Sequence, residues 1–339
     1  MYVALLPSLL PLPNQLLSID ENAESVLVTG AKKELAYLDL FGSPRTPYKG
    51  FRRECYNNEK QEPSDHANSL GRYLLLAPSL VPDDDSLTTF CIRHPDLNLE
   101  NLKVSTDSSG LQICSVLDWQ HAAVLPLFLH AGMPYDIQNE GDEVSRSMTE
   151  PKLPDDFDEL SQDEQLWEKE LFRRRLVHYH YNLSTAAYNR VHHKGLVYPI
   201  SNFCRRIFNY ATAPWEGETI KLLCALIEMV VNWEGFSKDG TPCPVVLTPD
   251  EIDAAIKLCR ELESAEENER TLRNLVGYGP ETWVPAAKYE KAMASGQEMK
   301  QKMLEVYSED QLITDDKRAL IFACWPLDDM DEVELEEYM

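Results

Sequence analysis

The stretch Phe90–His121 constrains the fold more than any other part of this 339-residue chain. It reads F-C-I-R-H-P-D-L-N-L-E-N-L-K-V-S-T-D-S-S-G-L-Q-I-C-S-V-L-D-W-Q-H. The apolar run Phe90-Cys91-Ile92 is expected to be a strand that delivers His94-Pro95-Asp96, with Asn101 five residues further on. Leu102-Lys103-Val104 alternates apolar and polar, Asp107–Gly110 turns the chain, and Leu111–Leu117 returns as a second strand that ends at Asp118. Two short strands around a glycine-bearing turn predict a β-hairpin. At its open end, Asn101 and Asp118 come back towards each other, with Asp96 beside them.

A carboxylate, an amide and a second carboxylate in that arrangement suit phosphoryl transfer. One carboxylate can orient an attacking hydroxyl, while an amide oxygen and the other carboxylate can hold Mg²⁺ on nucleotide phosphates. The spacing His-x-Asp-x4-Asn, followed by an Asp at the end of the next hairpin strand, resembles the protein-kinase-like superfamily. Leu117-Asp118-Trp119 is most similar to its aminoglycoside-phosphotransferase branch. The further motifs L-P-L-F-L-H-A-G, G-D-E-V-S, A-P-W-E-G and C-W-P-L-D-D-M-D-E resemble a fungal phosphotransferase family that includes the mitochondrial "altered inheritance of mitochondria" proteins. The resemblance runs from about Glu24 to Met339.

It implies a mostly α (α+β) fold: the large lobe of a kinase-like enzyme over residues 21–240, with the catalytic loop at 93–120. A helical extension over 241–327 and an acidic tail over 328–339 would follow. It also implies Asp96 as the catalytic base and Asn101 and Asp118 as the residues that bind Mg²⁺ and, through it, ATP. The acceptor would be a hydroxyl on an unidentified molecule, and the location mitochondrial.

One departure from the family stands out. Among the 93 residues before His94, the glycines are Gly30, Gly42, Gly50 and Gly71 and the lysines are Lys32, Lys33, Lys49 and Lys60. They form no glycine-rich phosphate loop, and no lysine sits in a V-A-x-K-like strand. The small nucleotide-binding lobe is therefore expected to be missing, and a truncated chain of this kind to be weakly active or inactive. The alternative is a catalytically dead kinase-like remnant acting as a binding or scaffold protein. The lobe face around Leu99, Leu102 and Leu111–Leu117 would then be open to self-association, or covered by residues 1–17.

Met1–Leu17 is apolar, carries three prolines and has no Lys or Arg, so it lacks the marks of a targeting peptide. No apolar run approaches the ~20 residues of a membrane span. Lys+Arg 32 against Asp+Glu 57 gives a net charge of −25, which repels polyanions and argues against nucleic acid and anionic membranes as general partners. The eight cysteines are scattered with no C-x2-C pair, which reads as free or buried thiols in a reducing, intracellular compartment. Cys91 and Cys114 are expected in the core beside the site. A metal-dependent hydrolase using His94, Asp96, Asp118 and His121 is the competing chemistry.

Helices are expected over Glu21–Phe41, Ser64–Leu76, Tyr198–Ala211, Glu218–Trp233, Lys288–Tyr307 and Thr314–Cys324, with Val124–Ala131 buried in a helical stretch. Ser161/Glu164 and Thr248/Glu251 have capping-box spacing, in which each end's side chain bonds the other's backbone N–H. They start two more helices, one running to about Arg190 and one to about Val276, where Gly277 ends it.

Overall fold

The computed structural model describes residues 21–107, 110–139, 141–237, 240–277, 284, 286–309 and 313–328. The Pro-rich start and nearly all of the acidic tail lie outside them. In chain order the elements are α1 (Ala23–Phe41), α2 (Gly50–Arg53), α3 (Pro63–Leu76), α4 (Asp85–Thr88), β1 (Phe90–Ile92), β2 (Leu102–Asp107), β3 (Gly110–Val116), β4 (Val124–Pro126) and α5 (Leu127–His130). Then come α6 (Glu143–Arg146), α7 (Gln162–Tyr188), α8 (Arg190–Leu196), α9 (Ser201–Thr212), α10 (Ile220–Val231), α11 (Trp233–Phe236), α12 (Pro249–Val276), α13 (Tyr289–Glu309) and α14 (Asp315–Ala323). The chain is mostly helical, with two small antiparallel pairs, β1–β4 and β2–β3. Among the described residues no helix is long and apolar enough to cross a membrane.

The contacts divide the chain into two compact units, each assembled from separate stretches. One contains residues up to Thr29 together with Leu80–Phe208, and carries both strand pairs. Its core gathers Leu80, Leu87, Phe128, Ala131, Cys204 and Ile207, all buried. Residues 124–131 depart from the helical expectation. Val124–Pro126 pairs with β1 in the register Phe90↔Pro126, Cys91↔Leu125, Ile92↔Val124, and only Leu127–His130 is helical. The edge of β1 supplies backbone partners that a helix would not use. The helix expected to reach Arg190 stops at Tyr188, because the Asn189 side chain accepts from the His192 N–H and caps a new helix, α8.

The other unit contains Gly30–Ser79 and the chain from Asn209 on. Its centre is α10, apolar nearly all round, with Leu222, Leu226 and Met229 buried among α3 and α12. The A-P-W-E-G segment is a structural hub of this unit. The Trp215 N–H donates to Glu34 Oε1 at 2.8 Å, and Trp215 Nε1 donates to the Ser43 carbonyl at 3.4 Å. The Tyr48 N–H donates to the Glu216 carbonyl at 3.0 Å. Gly217 is required there: its φ is +83°, and an added Cβ would sit 2.2 Å from the Thr46 carbonyl oxygen.

Cysteine placement corrects two expectations. Cys114 is exposed on β3, not in a core. Cys224 on α10 and Cys259 on α12, 35 residues apart, meet as a disulfide with Cα atoms 7.5 Å apart, because these two helices pack together. Spacing along the chain cannot announce such a pairing.

Candidate functional site

The site forms where β1 ends and the β2–β3 hairpin opens. The hairpin pairs Leu102↔Val116, Lys103↔Ser115, Val104↔Ile113 and Thr106↔Leu111, with a bulge between the second and third pairs. Gly110, at φ +112°, makes the turn. β1 hands the chain to Arg93, whose guanidinium donates to the His130 carbonyl at 2.6 Å and so ties the loop to the end of α5.

His94 is buried and holds the loop to the hairpin. Its Nδ1 accepts from the Asp96 N–H at 3.2 Å, so Nε2 carries the proton and donates to the Leu117 carbonyl at 2.6 Å. The ring meets Trp119 edge-on, with centroids 4.9 Å apart. With both nitrogens engaged by backbone, His94 is a brace and not a metal ligand. Among the described residues, no three His, Cys, Asp or Glu side chains are grouped to hold a metal ion. That takes His94 out of the ligand set of the metal-hydrolase alternative.

Asn101 closes the arrangement. Its Nδ2 donates to the Asp96 carbonyl at 2.8 Å, and its own carbonyl accepts from the Leu117 N–H at 2.8 Å. Leu117 is thus held on both sides, by His94 and by Asn101, and Asp118 follows it with φ +60°. A left-handed conformation at a non-glycine residue is strained, and it persists only where the surroundings fix it. Asn101 thus joins the loop of Asp96 to the strand end that precedes Asp118. Both carboxylates are exposed and Asn101 is half-buried.

Sequence reasoning passed over Asn98. Its Nδ2 donates to Asp96 Oδ2 at 3.1 Å, and its Oδ1 accepts from the N–H groups of Glu100 at 2.9 Å and Asn101 at 3.0 Å. This side chain shapes the loop and orients the carboxylate. The Asp-x-Asn spacing, typical of side chains that bond backbone two residues on, was the available signal.

The G-D-E-V-S motif and the arginine run are architectural. Asp142 of G-D-E-V-S accepts from the Ser145 N–H at 2.9 Å and pairs with Arg175 at 2.6 Å. That guanidinium draws its carboxyl down to about 2. Arg173 and Arg174 both pair with Glu170, so the arginine run is a helix face with its own counter-charges.

No family model matches the chain, and no solved structure does. The chain is similar to a subtelomeric hrmA-associated cluster protein of Aspergillus fumigatus, found in each of two strains, at 27% identity over 307 residues. The matched region is 90% of this chain but 58% of the relative, so the chain spans less than two thirds of the curated relatives' length.

Proposed function

We propose that this chain carries the catalytic corner of a kinase-like phosphotransferase of the aminoglycoside-phosphotransferase type. Its reaction moves a phosphoryl group from ATP to a hydroxyl acceptor. The observation that supports this reading is the double tie of Asn101, to the Asp96 carbonyl and to the Leu117 N–H, which joins the loop of Asp96 to the residue that precedes Asp118.

The donor set suits Mg²⁺. Asn101 spends Nδ2 on the Asp96 carbonyl, which leaves Oδ1 as its ligand atom, and Asp118 adds an exposed carboxylate. Hard oxygen donors few in number are what Mg²⁺ takes, with waters and phosphate oxygens completing its shell. Bound there, the ion would neutralise charge on the nucleotide's phosphates. Asp96 orients the acceptor hydroxyl and takes its proton; Asn98 holds Oδ2, leaving Oδ1 for that task. His94 positions the loop without touching substrate. A binding role without catalysis is the second reading, favoured by the exposed apolar face of the β2–β3 hairpin.

Mn²⁺, a paramagnetic substitute for Mg²⁺, tests the assignment. In the presence of ATP it should broaden the amide signals of Asn101 and Asp118 first. Asp118→Asn should weaken binding about tenfold by removing one of two anchoring oxygens. Asp96→Asn should leave metal binding intact while abolishing transfer. Broadening centred elsewhere, or an unchanged affinity in Asp118→Asn, would remove the basis for this function.

A further inference from the structure

Arg52 pairs with Glu218 and Glu266, Arg72 with Glu251 at 2.7 Å and Arg175 with Asp142 at 2.6 Å. Such pairing is expected where carboxylates outnumber basic side chains 57 to 32. Arg93 departs from it. It is half-buried just before His94, and its guanidinium donates to the His130 carbonyl at 2.6 Å. The ionisable groups that act on it are Tyr181 and Cys91, with no carboxylate among the described residues.

A second guanidinium stands beside it in the same compact unit. A Cβ placed on Gly132 would lie 3.2 Å from Arg93 Nη1 and 3.4 Å from Arg205 Nη1. Both nitrogens thus border the space that a side chain at 132 would fill, and Gly132 itself is half-exposed. Arg205 donates to Ser201 Oγ at 3.2 Å and to Asn202 Oδ1, both uncharged. His192 belongs to this cluster as well. Burial first, then Arg93, hold its imidazole down to about 4 against the opposing pull of the Gly132 carbonyl; Arg205 and His193 add to the effect. The imidazole therefore stays neutral, and the two guanidiniums carry the positive charge. Partly desolvated like charges at this separation are costly unless an anion joins them.

We propose that Arg93 and Arg205 hold a phosphate dianion beside Gly132, either free phosphate or the phosphoryl group of a small organic ester. Guanidinium forks match phosphate oxygens, and two of them match its double negative charge. A carboxylate would leave one guanidinium uncompensated. The His130 carbonyl takes one of the five N–H donors of Arg93, so the rest of the fork serves the anion. This site goes beyond the function proposed above. It needs neither Mg²⁺ nor ATP, and its test succeeds or fails whatever Asp96, Asn101 and Asp118 do.

Inorganic phosphate is titrated into the isotope-labelled full chain at constant ionic strength, without metal or nucleotide. The expected result is a saturable shift at the Gly132 amide and at the Nε–H signals of Arg93 and Arg205. A chain of net charge −25 repels phosphate elsewhere, so the background is small. Arg205→Gln should weaken binding about tenfold or more, the usual loss of a hydrogen bond to a charged group. Because Arg93 also ties the loop to α5, the second variant is Gly132→Ala, whose methyl enters between the guanidiniums. It too should weaken binding, with the circular dichroism spectrum unchanged. Tighter binding of glycerol phosphate than of inorganic phosphate assigns the site to a phosphorylated small molecule, and the reverse order assigns it to the free ion. Absence of a saturable shift, an unchanged affinity in both variants, or displacement of phosphate by equimolar acetate would overturn the proposal.

Discussion

Arg52→Ala is expected to destabilise the unit containing it by about 3–5 kcal/mol, the usual loss when one partner of a buried ion pair is removed. Arg52 is 2% exposed, and its Nε lies 2.7 Å from Glu218 Oε1, which is 17% exposed. It also pairs with Glu266, whose more open position lets water replace a lost partner. Glu218 has no such recourse. Tyr56 donates to it at 3.4 Å, and Glu216 is near enough to feel its charge, its own carboxyl held above the usual range by burial first and Glu218 second. Without the guanidinium, these groups face an uncompensated buried anion. Arg52→Met combined with Glu218→Gln should recover most of the loss, since the charge that made the single change costly is then absent. Chemical denaturation of the wild type, Arg52→Met, Glu218→Gln and the double variant measures the coupling. A loss below about 1 kcal/mol for Arg52→Ala would mean the pair is effectively solvated.

Glu34 predicts an acid-side gain in stability that Gln should abolish. Burial raises its carboxyl from an ordinary 4.5 to about 7, against the opposing pull of the Trp215 N–H and of Arg45. A raised carboxyl favours the folded state fully below about pH 4.5, and that contribution is lost as pH rises to about 7. The 2.5-unit difference between those two values corresponds to about 3 kcal/mol at neutral pH and above. Glu34→Gln keeps an oxygen for the Trp215 N–H, bonded at 2.8 Å in the wild type, and removes the buried charge. It should therefore stabilise the protein at pH 8 by that order and change little at pH 4. Denaturation midpoints across this range decide the matter: parallel pH profiles for the two proteins would show that Glu34 titrates as a solvated carboxylate.

What the sequence by itself determined is local. Ser161 and Glu164 form the reciprocal cap of α7, and Thr248 and Glu251 do the same for α12, because each box needs only residues three apart. Gly277 ends α12 at φ +87° for the same local reason, and the Gly110 turn sets the hairpin that returns Asp118 to Asn101. The ties of Asn101 to the Asp96 carbonyl and to Leu117 are likewise local, because about twenty residues of chain and one hairpin register build them. Only the tertiary structure decided the rest. Arg52 finds Glu218 across 166 residues, Trp215 finds Glu34 across 181, and Cys224 meets Cys259. The pairing of Val124–Pro126 with β1 depended on a strand edge more than thirty residues away in sequence, which overrode an apolar run that reads equally well as helix. The exposure of Leu111 and Ile113 is of the same kind: alternation says that they share a face, and only the packing of the described residues leaves both exposed. Charge and apolar groups are specified one residue at a time, but whether they are desolvated depends on which distant segments arrive against them.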